Sequence, residues 1–130
     1  MKRPKSFLNP AFALASICIG TPLFGQSTTS ISDGNWASPS TWNNGVPDNT
    51  KDAFVETNVN SNSNEGAVTG LGVLSGSLTM NNGSQIETTG GMSVTNGTLT
   101  INSGASLTQS NSSAFGYIGR ANGASGAMVI

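Results

Sequence analysis

The stretch Gly70-Leu-Gly-Val-Leu-Ser-Gly-Ser-Leu-Thr-Met-Asn-Asn-Gly-Ser-Gln-Ile-Glu-Thr-Thr-Gly90 returns without a gap as Gly91-Met-Ser-Val-Thr-Asn-Gly-Thr-Leu-Thr-Ile-Asn-Ser-Gly-Ala-Ser-Leu-Thr-Gln-Ser-Asn111. Seven of the 21 positions are identical: Gly70/Gly91, Val73/Val94, Gly76/Gly97, Leu78/Leu99, Thr79/Thr100, Asn81/Asn102 and Gly83/Gly104. Leu71/Met92, Met80/Ile101 and Ile86/Leu107 stay apolar. A third copy starts near Gly116, with Ile118 in the place of Val94. Gly126-Ala-Met-Val-Ile130 then repeats Gly97-Thr-Leu-Thr-Ile101, after an enlarged loop between Gly119 and Ser125. Such a return marks a repeat architecture.

Within each copy Leu78 and Met80, or Leu99 and Ile101, alternate with Ser and Thr. Period two is the signature of a strand with one buried and one wet face. The runs are short and end at Asn-Gly or Asn-Ser-Gly, which turn the chain sharply. No segment has helical periodicity. Short strands, tight corners and a period near 21 predict an all-β parallel β-solenoid, each rung of two or three strands stacked about 4.8 Å from the next. Leu78 should then stack with Leu99 and Met128, Met80 with Ile101 and Ile130, and Val73 with Val94 and Ile118. Asn81 and Asn102 should stack at one corner. A meander of independent hairpins explains the Asn-Gly turns but not the strict return.

Upstream of the repeats, residues 1–25 read as a secretory signal peptide. Lys2, Arg3 and Lys5 precede the apolar run Ala11–Gly20, and Gly20 and Gly25 close the segment. The run is too short to span a bilayer. Cleavage after Gly25 predicts export, with the membrane touched only through the cleaved segment. The chain from Gln26 onward then carries a net charge of −4, two Lys/Arg against six Asp/Glu. Cys18 leaves with the signal, so the exported chain would hold no disulfide. Gly, Ser, Thr and Asn dominate what remains, a composition open to disorder that only the periodicity argues against.

Residues 26–32 are expected to be a flexible lead-in. Residues 33–69 are expected to be an N-terminal cap with the first strands, Asp52-Ala-Phe-Val55 entering the solenoid. The repeats run 70–90, 91–111 and 112–130, the last one truncated, since Ile130 falls where a strand should continue. Such an open end predicts a piece of a longer exoprotein, or self-association at that end.

Composition excludes much chemistry. Charged residues are 8% and histidine is absent, so no Ser–His or Cys–His pair exists and no His can ligate zinc. The charge is too small and too acidic for nucleic acid. A glycosidase needs two converging carboxyls. Of Asp33, Asp48, Asp52, Glu56, Glu65 and Glu87, Asp52 and Glu56, four apart along the first expected strand, are the pair that could share a strand face. Arg120 reads as a solvated turn residue. Asp48-Asn-Thr-Lys-Asp52 offers oxygen ligands but lacks the glycine and glutamate of a calcium loop, and no Lys-Ser/Thr follows a Gly-rich run, so neither a metal nor a cofactor is expected. Ser77, Thr79, Thr98 and Thr100 would form an outward hydroxyl ladder, interrupted by Ala127 and Val129. Trp36 and Trp42, six apart among Gly34, Pro39, Gly45 and Pro47, read as a cap over the first rung; the other reading is a sugar-stacking platform, which makes them the candidate glycan contacts.

The pattern Gly34-x-Trp36, Ser40-Thr-Trp42, Gly45-Val-Pro47, Asp52-x-Phe-Val55 resembles the opening of many bacterial exported β-helix proteins. Tyr117-Ile-Gly119 followed by Gly126-Ala-Met-Val-Ile130 is similar to their repeats, which occur in autotransporter-like passengers and PEP-CTERM-sorted surface proteins. The resemblance covers residues 33–130. It implies an extracellular or cell-surface right-handed β-helix used for adhesion or matrix, or carrying an enzyme elsewhere in the chain. The dispersed acids point to a non-catalytic structural or adhesive region, whose surface hydroxyls and amides suit weak, repeated contacts with polysaccharide or neighbouring surface proteins. The same resemblance also admits the N-terminal part of a carbohydrate-active β-helix enzyme.

Overall fold

A computed structural model describes residues 26–119 and 125–130. The signal segment 1–25 and Arg120 lie outside them.

The chain is an all-β parallel solenoid of about four turns. The first, incomplete coil holds β1 (Gln26–Thr29), β2 (Gly34–Asn35) and a 3-10 turn at Pro39–Thr41. The second holds β3 (Lys51–Val55), β4 (Asn58–Ser61) and β5 (Asn64–Val68). The third holds β6 (Gly70–Val73), β7 (Ser77–Met80) and β8 (Gln85–Thr88). The fourth holds β9 (Met92–Val94), β10 (Thr98–Ile101) and β11 (Ser106–Gln109), and β12 (Gly116–Ile118) and β13 (Ala127–Val129) follow. Like strands stack into three sheets, ordered β1-β3-β6-β9-β12, β2-β4-β7-β10-β13 and β5-β8-β11. Every strand pairing is parallel, which a meander of hairpins cannot give.

The repeat register is the pairing register. Leu78 pairs with Leu99, Leu99 with Met128, and Val73 with Val94, which pairs with Ile118. Val55, Val59, Val73, Leu78, Met80, Val94 and Leu99 are buried on the inner face. The column of Met80 and Ile101 stops short of its expected end: β13 finishes at Val129, and Ile130 is 91% exposed.

The identical glycines have two separate causes. Gly83 and Gly104 take φ of +85° and +83°, a left-handed turn that a side chain would strain. At Gly97 the constraint is space: a Cβ would stand 2.5 Å from the Gly76 carbonyl oxygen of the preceding coil. The shared asparagines form a ladder. Asn102 Nδ2 donates to Asn81 Oδ1 (3.0 Å), Asn81 to Asn62 (2.8 Å), and Asn62 to Asn35 (3.0 Å).

Residues 51–68 make a three-stranded coil ahead of the 21-residue repeats. One expectation needs correction: 26–32 is not a flexible lead-in. Gln26–Thr29 pairs in parallel with Lys51–Phe54, and Thr28 stacks on Ala53 in the buried column. Its polar sequence hides the strand, because the buried Thr28 hydroxyl is satisfied by donating to the Gly45 carbonyl (2.8 Å).

Candidate functional site

Trp36 and Trp42 belong to the core. They are 0% and 3% exposed, with ring centroids 5.1 Å apart at 72°. The Trp42 indole N–H donates to the Trp36 carbonyl (2.7 Å), and the Trp36 amide N–H donates to the Asn60 carbonyl on the next coil (2.8 Å). The reading of these two residues as glycan contacts is therefore corrected: neither ring presents a face to a sugar. Large indoles fill the incomplete first coil, where short strands supply little apolar area.

The aromatic surface lies elsewhere, on the outer face of the first sheet. Alternation turns Ala53 and Val55 inward and leaves Asp52 and Phe54 on the outside of β3. The register carries the Phe54 position through Gly72 and Ser93 to Tyr117, and sets Asp52 against Gly70. Small residues in the middle coils, with Phe54 at one end and Phe115 and Tyr117 at the other, shape a trough of about 700 Å³. Phe54 and Tyr117 are three coil spacings apart, about 14 Å. The Phe115 and Tyr117 rings are 6.0 Å apart and tilted by 32°, and Phe115 is 69% exposed. Phe54 lies across Gly72, where a Cβ would come within 2.8 Å of its ring. Asp52 leans over Gly70 and accepts a hydrogen bond from the Thr69 hydroxyl (2.7 Å). Among the described residues its second carboxylate oxygen takes no hydrogen bond.

The other faces are polar. Asn58 and Asn60, then Ser77 and Thr79, then Thr98 and Thr100 line the outside of the second sheet, with Ala127 and Val129 in the next coil. The Ser77 hydroxyl donates to Asn58 Oδ1 (2.9 Å). A smaller hollow of about 300 Å³ on the third sheet is lined by Gln85, Glu87, Ser106 and Thr108.

The acids are dispersed. Asp33 accepts from the Asn58 backbone and side-chain N–H groups, which lower its pKa below the ordinary carboxylate value. Asp48 binds the Lys51 ammonium at 2.7 Å and the Thr50 hydroxyl and amide, and these hold its pKa at about 2. The oxygen-rich segment 48–52 is thus folded around its own lysine. Glu65 accepts from the Ser61 and Ser63 hydroxyls, while Ser61 also bonds the buried Ser84. Glu56 falls past the end of β3, exposed, so it shares no strand with Asp52. Among the described residues no three His, Cys, Asp or Glu gather as a metal site.

Sequence reasoning missed the trough. Its signal was the outward alternation of Asp52 and Phe54 beside the glycines of the next coil, visible only once the coils are in register. No protein-family model, curated protein or solved structure matches this chain.

Proposed function

We propose that this chain is a non-catalytic structural and adhesive solenoid, exported to the cell exterior, that holds extracellular glycan along the outer face of its first sheet. The observation that carries the reading is the trough: the Phe54 ring lying over Gly72 at one end, Phe115 and Tyr117 at the other, with small residues between them and a carboxylate at the edge. A pyranose packs its C–H face on such a ring while its hydroxyls reach acceptors at the rim, and a groove along the axis accommodates a chain rather than a single sugar. The polar rows on the other faces suit weak contacts whose strength grows with number. The charged, apolar and small-residue order of residues 1–25 supports export.

The test is binding of the full chain to a panel of extracellular polysaccharides by affinity electrophoresis, alongside Tyr117→Ala and Phe115→Ala. Retardation that both variants weaken supports the reading. Absence of retardation, or retardation that both variants keep in full, overturns it.

A further inference from the structure

We propose that the trough selects an amine-bearing glycan, a polymer of hexosamine with free ammonium groups, and that Asp52 is the selecting residue. The proposal rests on the glycan reading above and deepens it.

Charge favours such a ligand. From Gln26 onward the chain carries six carboxylates, Asp33, Asp48, Asp52, Glu56, Glu65 and Glu87, against two side-chain cations, Lys51 and Arg120. Lys51 is engaged by Asp48 and by the Val46 carbonyl, so it does not offset the field of the others. Such a surface concentrates a polycation and repels a uronic-acid polymer. Within the trough the carboxylate is that of Asp52. Thr69 fixes one of its oxygens at 2.7 Å, which holds the side chain in one geometry and leaves the other oxygen for a ligand. An ammonium donates to a fixed carboxylate more strongly than a neutral hydroxyl does, because both partners are charged.

Shape decides between polycations. A basic peptide carries its charges on long flexible stems and gains little from a floor of glycine flanked by rings. A hexosamine chain presents its charge on the ring itself. One ring stacked on Phe54 therefore places its amine at the edge of β3, where Asp52 stands two residues away on the same strand face. Phe54 covers Gly72, so further rings of the same chain then run past Ser93 toward Tyr117 and Phe115. Gly70 leaves room for the Asp52 carboxylate, which a Cβ there would approach to 2.8 Å.

The experiment compares a fully deacetylated glucosamine oligomer with the N-acetylated oligomer of the same length. Both are titrated into the full chain at mildly acidic pH and low salt, and followed by 15N–1H NMR. The deacetylated oligomer is expected to bind roughly tenfold more tightly, as one charge-assisted contact allows. The moving amides should include those of Asp52, Gly70, Ser93 and Tyr117. Asp52→Asn keeps an acceptor for Thr69, so the fold is retained, and it should erase the preference while leaving weak binding of both oligomers. Tyr117→Ala should weaken both alike. Equal affinity for the two oligomers, or a preference that survives Asp52→Asn, overturns the selection by Asp52 while the glycan reading stands. Oligolysine that binds the trough as tightly as the glucosamine oligomer overturns it in favour of a basic peptide. If neither oligomer moves any trough amide, the selection and the trough itself fall together.

Discussion

Replacing each tryptophan by phenylalanine separates two indoles that the sequence cannot tell apart. Both changes remove the same atoms from the same core cluster, and each carries a volume cost of about 1–2 kcal/mol. The polar consequences are opposite. Trp42→Phe deletes the hydrogen bond from Nε1 to the Trp36 carbonyl and leaves that buried oxygen without this donor, which costs about 1–2 kcal/mol more. Among the described residues the Trp36 Nε1–H is buried and meets no acceptor. Trp36→Phe therefore removes a desolvated donor, a gain of about 1–3 kcal/mol that offsets its lost volume. Trp36→Phe should be close to neutral, and Trp42→Phe should cost about 3 kcal/mol. For a chain of this size the two melting temperatures should lie roughly 10 °C or more apart. Urea unfolding followed by far-UV circular dichroism measures the underlying free-energy difference without relying on the residues changed, provided the slope with denaturant is shared. If Trp36→Phe destabilises as much as Trp42→Phe, the assignment of one satisfied and one orphaned indole is wrong.

Three further outcomes follow from the same packing. Leu78 is fully buried between Val59 and Leu99, so Leu78→Ala should cost about 3 kcal/mol in urea unfolding, whereas Leu107→Ala, half-buried one sheet away, should cost clearly less. Asn81 makes two ladder bonds and Asn102 donates one, so Asn81→Ala should lower stability by about 1–2 kcal/mol and Asn102→Ala by about half as much; equal losses would mean the ladder does not act as drawn. Asp48 should titrate near pH 2 by carboxyl NMR, because its Lys51 and Thr50 donors favour the charged form. Its folded pKa is depressed, so its contribution is present above its ordinary value of 3.8 and is lost as pH falls toward about 2. That contribution is small, since the pair is solvent-screened, and Lys51→Met should return the titration toward the ordinary value.

The parts of the fold legible in the sequence are those where the coil length is constant. Leu71, Leu78 and Ile86 pair with Met92, Leu99 and Leu107, the same partners that a gapless superposition of the two repeats assigns them. The coil before it escapes because its corners are shorter, so that Val55 reaches Val73, and Val59 reaches Leu78, over less chain than a full repeat. Its column opposite Met80 also begins with Ser61, a buried serine whose hydroxyl is satisfied by Glu65 and Ser84, and no hydropathy pattern marks it. Thr28 hides β1 in the same way. The candidate site was less legible still. Phe54, Gly72, Ser93 and Tyr117 form one outward column, but each step along it spans more chain than the step before, so no fixed period brings them together. The tryptophans, conspicuous in sequence, were consumed by the core.

That division has a physical basis in how a solenoid separates its two faces. Parallel pairing fixes which residue lies above which, whatever the length of the corner between strands. The step from Leu99 to Met128 is longer than that from Leu78 to Leu99, yet the pairing is kept. Inward columns must match in size or open a cavity, and Val55, Val73 and Val94 do so. Outward columns are held in the same register but bear no such packing demand, so Phe54 can face Gly72, and Ser93 can face Tyr117, at little cost to the stack. A binding trough can therefore be cut into a sheet by shrinking the middle of one outward column and placing rings at its ends. The core then sets the spacing of the rings, about 4.8 Å per coil, and the surface residues set the chemistry. If the trough holds glycan as proposed, a change of preference would require only outward substitutions such as Asp52→Asn, while the inner columns, Asn ladder and corner glycines that keep the rings aligned stay as they are.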